Sequence, residues 1–123
     1  MDRIAEVIKE FARYTGLNES IDSLENPVCF NVNKEGDLFI ETRDEDVFVY
    51  FTPDLNGKIV TSSDIINLLK NNYYKRGAEI DINIGLSKEE DLVFIVKLRP
   101  EDFTFQTLDR IFTILLNFKK FLE

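Results

Sequence analysis

The chain has 123 residues, and its 44% hydrophobic content and 11 phenylalanines are enough for the core of one domain over residues 1–123, without disulfide or metal support. Its net charge of −8 would repel phosphate backbones and anionic lipid, which argues against a nucleic-acid or membrane partner. The single cysteine, Cys29, excludes an internal disulfide, and the chain has neither a signal-peptide pattern nor a membrane-length apolar run, so we expect a cytoplasmic protein.

The N-terminal stretch has the pattern of an amphipathic helix. Ile4, Val7, Ile8 and Phe11 recur at helical spacing, with charged residues on the other side. Gly16 is suited to the C-terminal cap of this helix. A polar connection over 18–27 follows, and it ends in a proline.

Three short strands are predicted next, over 28–33, 38–42 and 47–52. Short turns over 34–37 and 43–46 separate them, which is typical of an antiparallel meander. If Leu38 and Ile40 point towards the helices, the alternation of strand side chains places Phe39 on the opposite face. The same alternation separates Phe48 and Tyr50 from their immediate neighbours.

A second helix is predicted after a break over 53–57. Residues 61–63 offer an N-cap, and Asp64 is suitably placed in the first turn. Apolar residues then follow at helical spacing up to Tyr73, and Gly77 is expected to end the helix.

The stretch 78–98 is predicted to be a β-hairpin. Its first arm places Ile80, Ile82 and Ile84 on one face, and Gly85 with the run 87–91 forms the connection. The second arm, 92–98, is apolar on both faces, so both of its faces should be covered. The cover is expected to come from the two flanking helices or from a second copy of the chain.

The C-terminal stretch is predicted to be a helix with an unusually wide apolar surface. It follows a break over 100–102, and Thr104 is a plausible N-cap. The resulting order, α-β-β-β-α-β-β-α, groups the strands. It therefore predicts an α+β fold with a twisted antiparallel sheet packed against helices.

The residues of common catalytic sites are missing from the sequence. Without histidine and with one cysteine, a zinc site or a Cys/His catalytic pair cannot be built. No phosphate-binding glycine loop occurs, and the carboxylates of RDED and SKEED fall in turns where solvation is the simplest interpretation. We therefore expect no catalytic residues, no metal and no cofactor, and we expect that the protein is not an enzyme.

The chain resembles the class I type III secretion chaperones, the Tir-chaperone-like family. The resemblance covers nearly the whole chain: the first helix ending near YTGL, the strands CFNVN, DLFIE and VFVYF, the apolar run of the second helix, and LRPEDFTFQTLDRIFTILLNF. It implies a small cytoplasmic homodimer that holds a secreted effector by its N-terminal segment. It also implies that the dimer contact lies around the middle helix and the hairpin.

Two surfaces are predicted from these patterns. An exposed aromatic patch on the strands would bind an extended partner segment, and its predicted residues are Cys29, Phe39, Phe48 and Tyr50. Surplus apolar residues would form the homodimer interface, and these are Ile65, Leu68, Leu69, Tyr73, Val93 and Ile95.

Three alternatives stay open at this point. The chain could be a small acidic inhibitor or immunity-type protein that binds a folded basic partner, although such a protein would present carboxylates on its binding face. It could be a chaperone-like regulator that sequesters a regulatory protein. An uncharacterised enzyme is the third alternative, and the missing motifs argue against it.

Overall fold

The structure, a computed structural model, describes residues 3–17, 26–74, 82–87 and 91–123, with only the backbone described over 71–74. The described elements follow the predicted order. They are α1 (Arg3–Thr15), β1 (Val28–Val32), β2 (Gly36–Arg43), β3 (Asp46–Pro53), α2 (Ser62–Tyr74), β4 (Ile82–Leu86), β5 (Leu92–Leu98), a 3₁₀ turn (Pro100–Asp102) and α3 (Phe105–Leu122).

The strands form one antiparallel sheet in the order β1-β2-β3-β5-β4. The predicted meander and hairpin are both present, and they join through the β3–β5 pair, in which Val49 lies opposite Val96. β1 and β4 are therefore the two edges of the described sheet.

The core lies between one face of the sheet and the helices. Strand side chains alternate between buried and partly exposed, and Leu38 and Ile40 are buried as the alternation predicts. Phe11 of α1 links the layers, since its ring lies 5.9 Å from that of Phe30 and 5.4 Å from that of Phe112, both edge-to-face. The α+β class is confirmed, with the helices α1 and α3 covering one face of the sheet.

Local signals fix the helix ends. Gly16 has a φ of 77°, and the N–H of Leu17 donates to the carbonyl of Ala12 at 2.9 Å, which forms a Schellman cap on α1. Thr104 caps α3 by accepting from the N–H of Thr107 at 3.2 Å. Both predicted caps are confirmed.

The predicted hairpin connection is wrong at one point. Gly85 was expected to leave the strand, but β4 continues through Gly85 to Leu86, with Gly85 opposite Val93. Cross-strand pairing outweighs the weak strand preference of glycine here. Ile80, Gly77 and the predicted polar loop over 18–25 lie outside the described residues.

Candidate partner-binding face

One face of the sheet is turned away from the helices, and six side chains make it apolar. All six are half-buried, and none of them belongs to the core that the described residues form or to the residues packed against that core. We call this surface the open face, and its residues are Cys29, Phe39, Phe48, Tyr50, Val93 and Ile95. All four predicted partner-binding residues thus lie on one surface.

The strand register brings these residues into a row. Cys29 lies opposite Phe39, Phe39 opposite Tyr50, and Tyr50 opposite Ile95. Neighbouring strands are about 4.8 Å apart, so the row is about 14 Å wide from β1 to β5. Residues that are distant in sequence therefore form a continuous apolar surface.

An aromatic stack reinforces this surface. The rings of Phe48 and Tyr50 are stacked, with centroids 6.1 Å apart and planes at 7°. The guanidinium carbon of Arg43 lies 4.6 Å from the Phe48 ring centroid, and Nη2 of Arg43 donates to the Tyr50 hydroxyl at 3.3 Å. Burial, and next the charge of Glu41, raise the pKa of Tyr50 above its ordinary value. The sequence pattern assigned Arg43 only to a charged turn and missed this contact.

Ion pairs border the open face at the β2–β3 turn. Arg43 lies 3.9 Å from a carboxylate oxygen of Glu41, and Lys97 lies 3.5 Å from one of Asp46. At the opposite end of the face, a cleft of about 280 Å³ is lined by Asp37, among other polar residues. The apolar surface therefore ends in charged groups along the strand direction.

The predicted dimer residues whose side chains the structure describes do not lie on one surface. Leu68 is fully buried in the chain's own core and Ile65 packs against that core, which corrects the assignment of Leu68 to a contact surface. Leu69 is 46% exposed, whereas Val93 and Ile95 lie on the open face. The side chain of Tyr73 lies outside the described residues. The helical pattern could not show which apolar side of α2 faces inward.

Two strongly exposed apolar residues were missed by the sequence interpretation. Ile59 is 84% exposed in the connection before α2, and Leu86 is 66% exposed at the end of β4. Both line a groove of about 710 Å³ that also includes Ile65 and Leu92. The apolar residues Leu55, Ile59 and Val60 in the short connection between β3 and α2 were the available signal for this groove.

The described ranges contain neither a candidate metal site nor a membrane-spanning helix. Within residues 3–17, 26–74, 82–87 and 91–123, no three histidine, cysteine, aspartate or glutamate side chains are grouped so that they could hold a metal ion. The helices in those same ranges are too short or too polar for any of them to cross a bilayer.

Comparison with solved structures shows the fold. A chain in the crystal structure of the Yersinia pestis type III secretion chaperone SycH, in complex with a stable fragment of YscM2, matches with a TM-score of 0.69 at 18% identity; 98% of this chain and 99% of that chain are covered. A chain of the HopA1–SchA chaperone–effector complex matches with a TM-score of 0.66 at 14% identity, covering 99% of this chain and 97% of that one.

A third match is to the heterodimeric ExoU–SpcU complex from the type III secretion system of Pseudomonas aeruginosa, with a TM-score of 0.59 at 16% identity over 94% of this chain and 98% of that chain. No curated protein matches the sequence. Residues 3–122 match the family described as Type III secretory system chaperone SycN. This match spans nearly all of the sequence, and the chain therefore belongs to the Type III secretory system chaperone SycN family.

Proposed function

We propose that this protein is a cytoplasmic chaperone that binds the N-terminal segment of a secreted effector in extended form and keeps it soluble and competent for secretion. The observation that carries the proposal is the open face, where Phe39 lies next to the edge strand β1 and two further half-buried aromatic residues, Phe48 and Tyr50, lie on the central strand β3. The proposal includes no enzymatic activity and no cofactor. That the protein belongs to the class I, Tir-type group of these chaperones stays a prediction.

The edge strand β1 accounts for binding in extended form. An edge strand presents main-chain donors and acceptors along one side, and an extended segment can pair with them as an added strand. Alternate side chains of such a segment would lie beside Cys29 on the open face, one strand away from Phe39. Main-chain bonds would then supply affinity for many sequences, and the aromatic surface would supply selectivity.

The fold comparisons support a polypeptide partner. The HopA1–SchA structure is a chaperone–effector complex, and the SycH structure contains a fragment of a second protein. The aromatic character of the open face also favours this function over an acidic inhibitor, since an inhibitor of a basic enzyme would place carboxylates at the centre of its contact surface.

We also propose that the protein forms a homodimer through the exposed side of α2 and the nearby hairpin. Leu69 and Ile66 of α2 are 46% and 51% exposed, and Leu86 ends the second edge strand at 66%. Apolar side chains this exposed are typical of a contact surface when they cluster. An interface of this kind should bury more than about 1,000 Å².

Capture of a secreted protein by chain variants tests the proposed function. The chain with Phe39→Ser and Tyr50→Ser should lose the secreted protein that co-purifies with the unmodified chain. Its melting temperature should fall by a moderate amount and the chain should still fold, because both residues are half-buried and lie outside the core. Tyr14→Ser is the matched control, since Tyr14 is 69% exposed on α1 and should be dispensable. Undiminished capture by the double variant would refute the proposed role of the open face.

A further inference from the structure

One side chain contacts both members of the stacked aromatic pair on the open face. Arg43 ends β2, and its guanidinium carbon lies 4.6 Å from the Phe48 ring centroid, while its Nη2 donates to the Tyr50 hydroxyl at 3.3 Å. A carboxylate oxygen of Glu41, on the same strand, lies 3.9 Å from Nη1 of Arg43. Arg43 therefore contacts an aromatic ring, a hydroxyl and a carboxylate at the same time.

The strand register explains how one arginine reaches both rings. Arg43 and Glu41 are two residues apart on β2, so their side chains lie on the same face of the sheet. Glu41 lies opposite Phe48, and Arg43 lies opposite Asp46, two pairs further along. Phe48 is thus a diagonal neighbour of Arg43, about 7–8 Å away, which is within reach of a long side chain.

The core that the described residues form does not hold these two rings. Neither Phe48 nor Tyr50 belongs to that core or to the residues packed against it. Their ring planes are within 7° of parallel, but their centroids are 6.1 Å apart. Aromatic pairs attract one another over about 4.5–7 Å, so a pair near the far limit is held only weakly by its own attraction. Arg43 adds contacts to both members of this weakly held pair.

The chemistry of arginine suits this task. A planar guanidinium can lie against an aromatic ring and donate hydrogen bonds from its edge. The ammonium of lysine carries the same charge, but it is a compact point charge on a flexible stem and cannot make both contacts in one fixed geometry. Lysine would therefore preserve the charge of this site, whereas the ordering of both rings depends on arginine.

We infer that Arg43 is a positioning residue for partner binding, which holds Phe48 and Tyr50 in their parallel arrangement before the secreted protein arrives. The inference rests on the proposed function and adds to it a residue that acts through the two rings rather than by its own contact with the partner. A segment that binds ordered rings avoids immobilising them, which lowers affinity about three- to tenfold for each side chain. If the rings were ordered for only part of the time, the apparent affinity would fall by that fraction.

Nuclear magnetic resonance of the free chain tests the ordering of the rings. With phenylalanine and tyrosine labelled, nuclear Overhauser contacts between the Phe48 and Tyr50 rings should be present in the unmodified chain and weaker in Arg43→Lys. Carbon relaxation should show greater ring motion on the ps–ns timescale in that variant. Its melting temperature should stay close to that of the unmodified chain, because the Arg43 side chain is 56% exposed.

Binding kinetics test whether this order matters to the partner. The probe is a synthetic copy of the segment that the unmodified chain protects from proteolysis in its complex with the co-purified secreted protein. Arg43→Lys should lower the association rate constant about three- to tenfold and leave the dissociation rate constant within about twofold, because the bound rings are ordered in both chains. Tyr50→Phe, which removes only the hydroxyl that accepts from Arg43, should change the rates in the same direction.

A double variant and a matched control complete the experiment. Arg43→Lys and Tyr50→Phe disrupt the same contact, so the double variant should bind no more slowly than the slower single variant. Arg110→Lys is the control, because Arg110 is exposed on α3, on the other side of the sheet from the open face, and should leave both rate constants unchanged.

Three outcomes would overturn the inference. Rings that keep their order in Arg43→Lys would show that other contacts fix them. A loss of affinity that appears in the dissociation rate constant would show that Arg43 contacts the partner itself, and additive effects of the two substitutions would show that they act separately. Each of these outcomes leaves the proposed function standing, whereas failure of the unmodified chain to protect any segment of a secreted protein would refute the proposed function.

Discussion

Replacement of Gly36 by alanine should be among the most damaging single substitutions in this chain. Gly36 begins β2 and has a φ of 143°, a conformation that residues with a side chain rarely adopt. A Cβ at this position would lie 2.2 Å from the carbonyl oxygen of Thr52 and 2.9 Å from the Cα of Pro53. Both are backbone atoms of the neighbouring strand, so no side-chain rotation can relieve the contact.

The cost can be estimated from two contributions. The unfavourable backbone conformation contributes about 1–3 kcal/mol. Displacing the end of β3 also endangers hydrogen bonds such as that from the N–H of Asp54 to the carbonyl of Glu35 at 2.8 Å, each contributing about 1 kcal/mol. We expect Gly36→Ala to lower the free energy of unfolding by about 3–5 kcal/mol, a large part of the typical stability of a domain.

Gly57→Ala is the matched control. Gly57 also has a positive φ, of 82°, but an added Cβ would meet no heavy atom within 4 Å. It should therefore cost only about 1–2 kcal/mol, from conformation alone. Urea unfolding followed by circular dichroism, at one protein concentration, measures both. If the free energies of unfolding of the two variants differed by less than about 0.5 kcal/mol, the backbone around Gly36 could move to accommodate a Cβ, and the argument would be refuted.

Two further predictions concern α2. Leu68→Ala should lower the free energy of unfolding by about 3–5 kcal/mol because Leu68 is fully buried. Leu69→Ala should lower it by less than about 1 kcal/mol and should instead weaken the proposed dimer, which light scattering measures. Similar losses of stability in the two variants would contradict the assignment of Leu68 to the buried side of α2 and Leu69 to the exposed side. Hydrogen bonds from the backbone N–H and the side chain of Thr61 lower the pKa of Asp64. The ionised carboxylate therefore stabilises the fold at any pH above the ordinary aspartate pKa, and this stabilisation is lost as the pH falls through the lowered pKa. Asp64→Asn should therefore reduce the melting temperature at neutral pH, and the gap from the unmodified chain should close in acid; a gap that is independent of pH would argue against this role.

Local sequence patterns determined most of the fold. The periods of 3.6 and 2 in the apolar residues predicted every described helix and strand in the right order, and Gly16 and Thr104 predicted caps that are present. These features depend on neighbours in the chain, so the sequence alone contains the information. The alternation also separated Phe39 from Leu38 and Ile40 without knowledge of any partner strand.

Non-local pairing decided what the sequence could not. The pairing of β3 with β5 aligns Tyr50 with Ile95 and turns separate strands into one open face. The packing of α2 decided that Leu68 is core while Leu69 is exposed, although both belong to the same apolar run. The spacing of apolar residues and their helix or strand propensities indicate only which residues share a face of one helix or strand. The exposure of a residue and its neighbours on the surface depend on which other elements pack there, and only the tertiary structure fixes that packing.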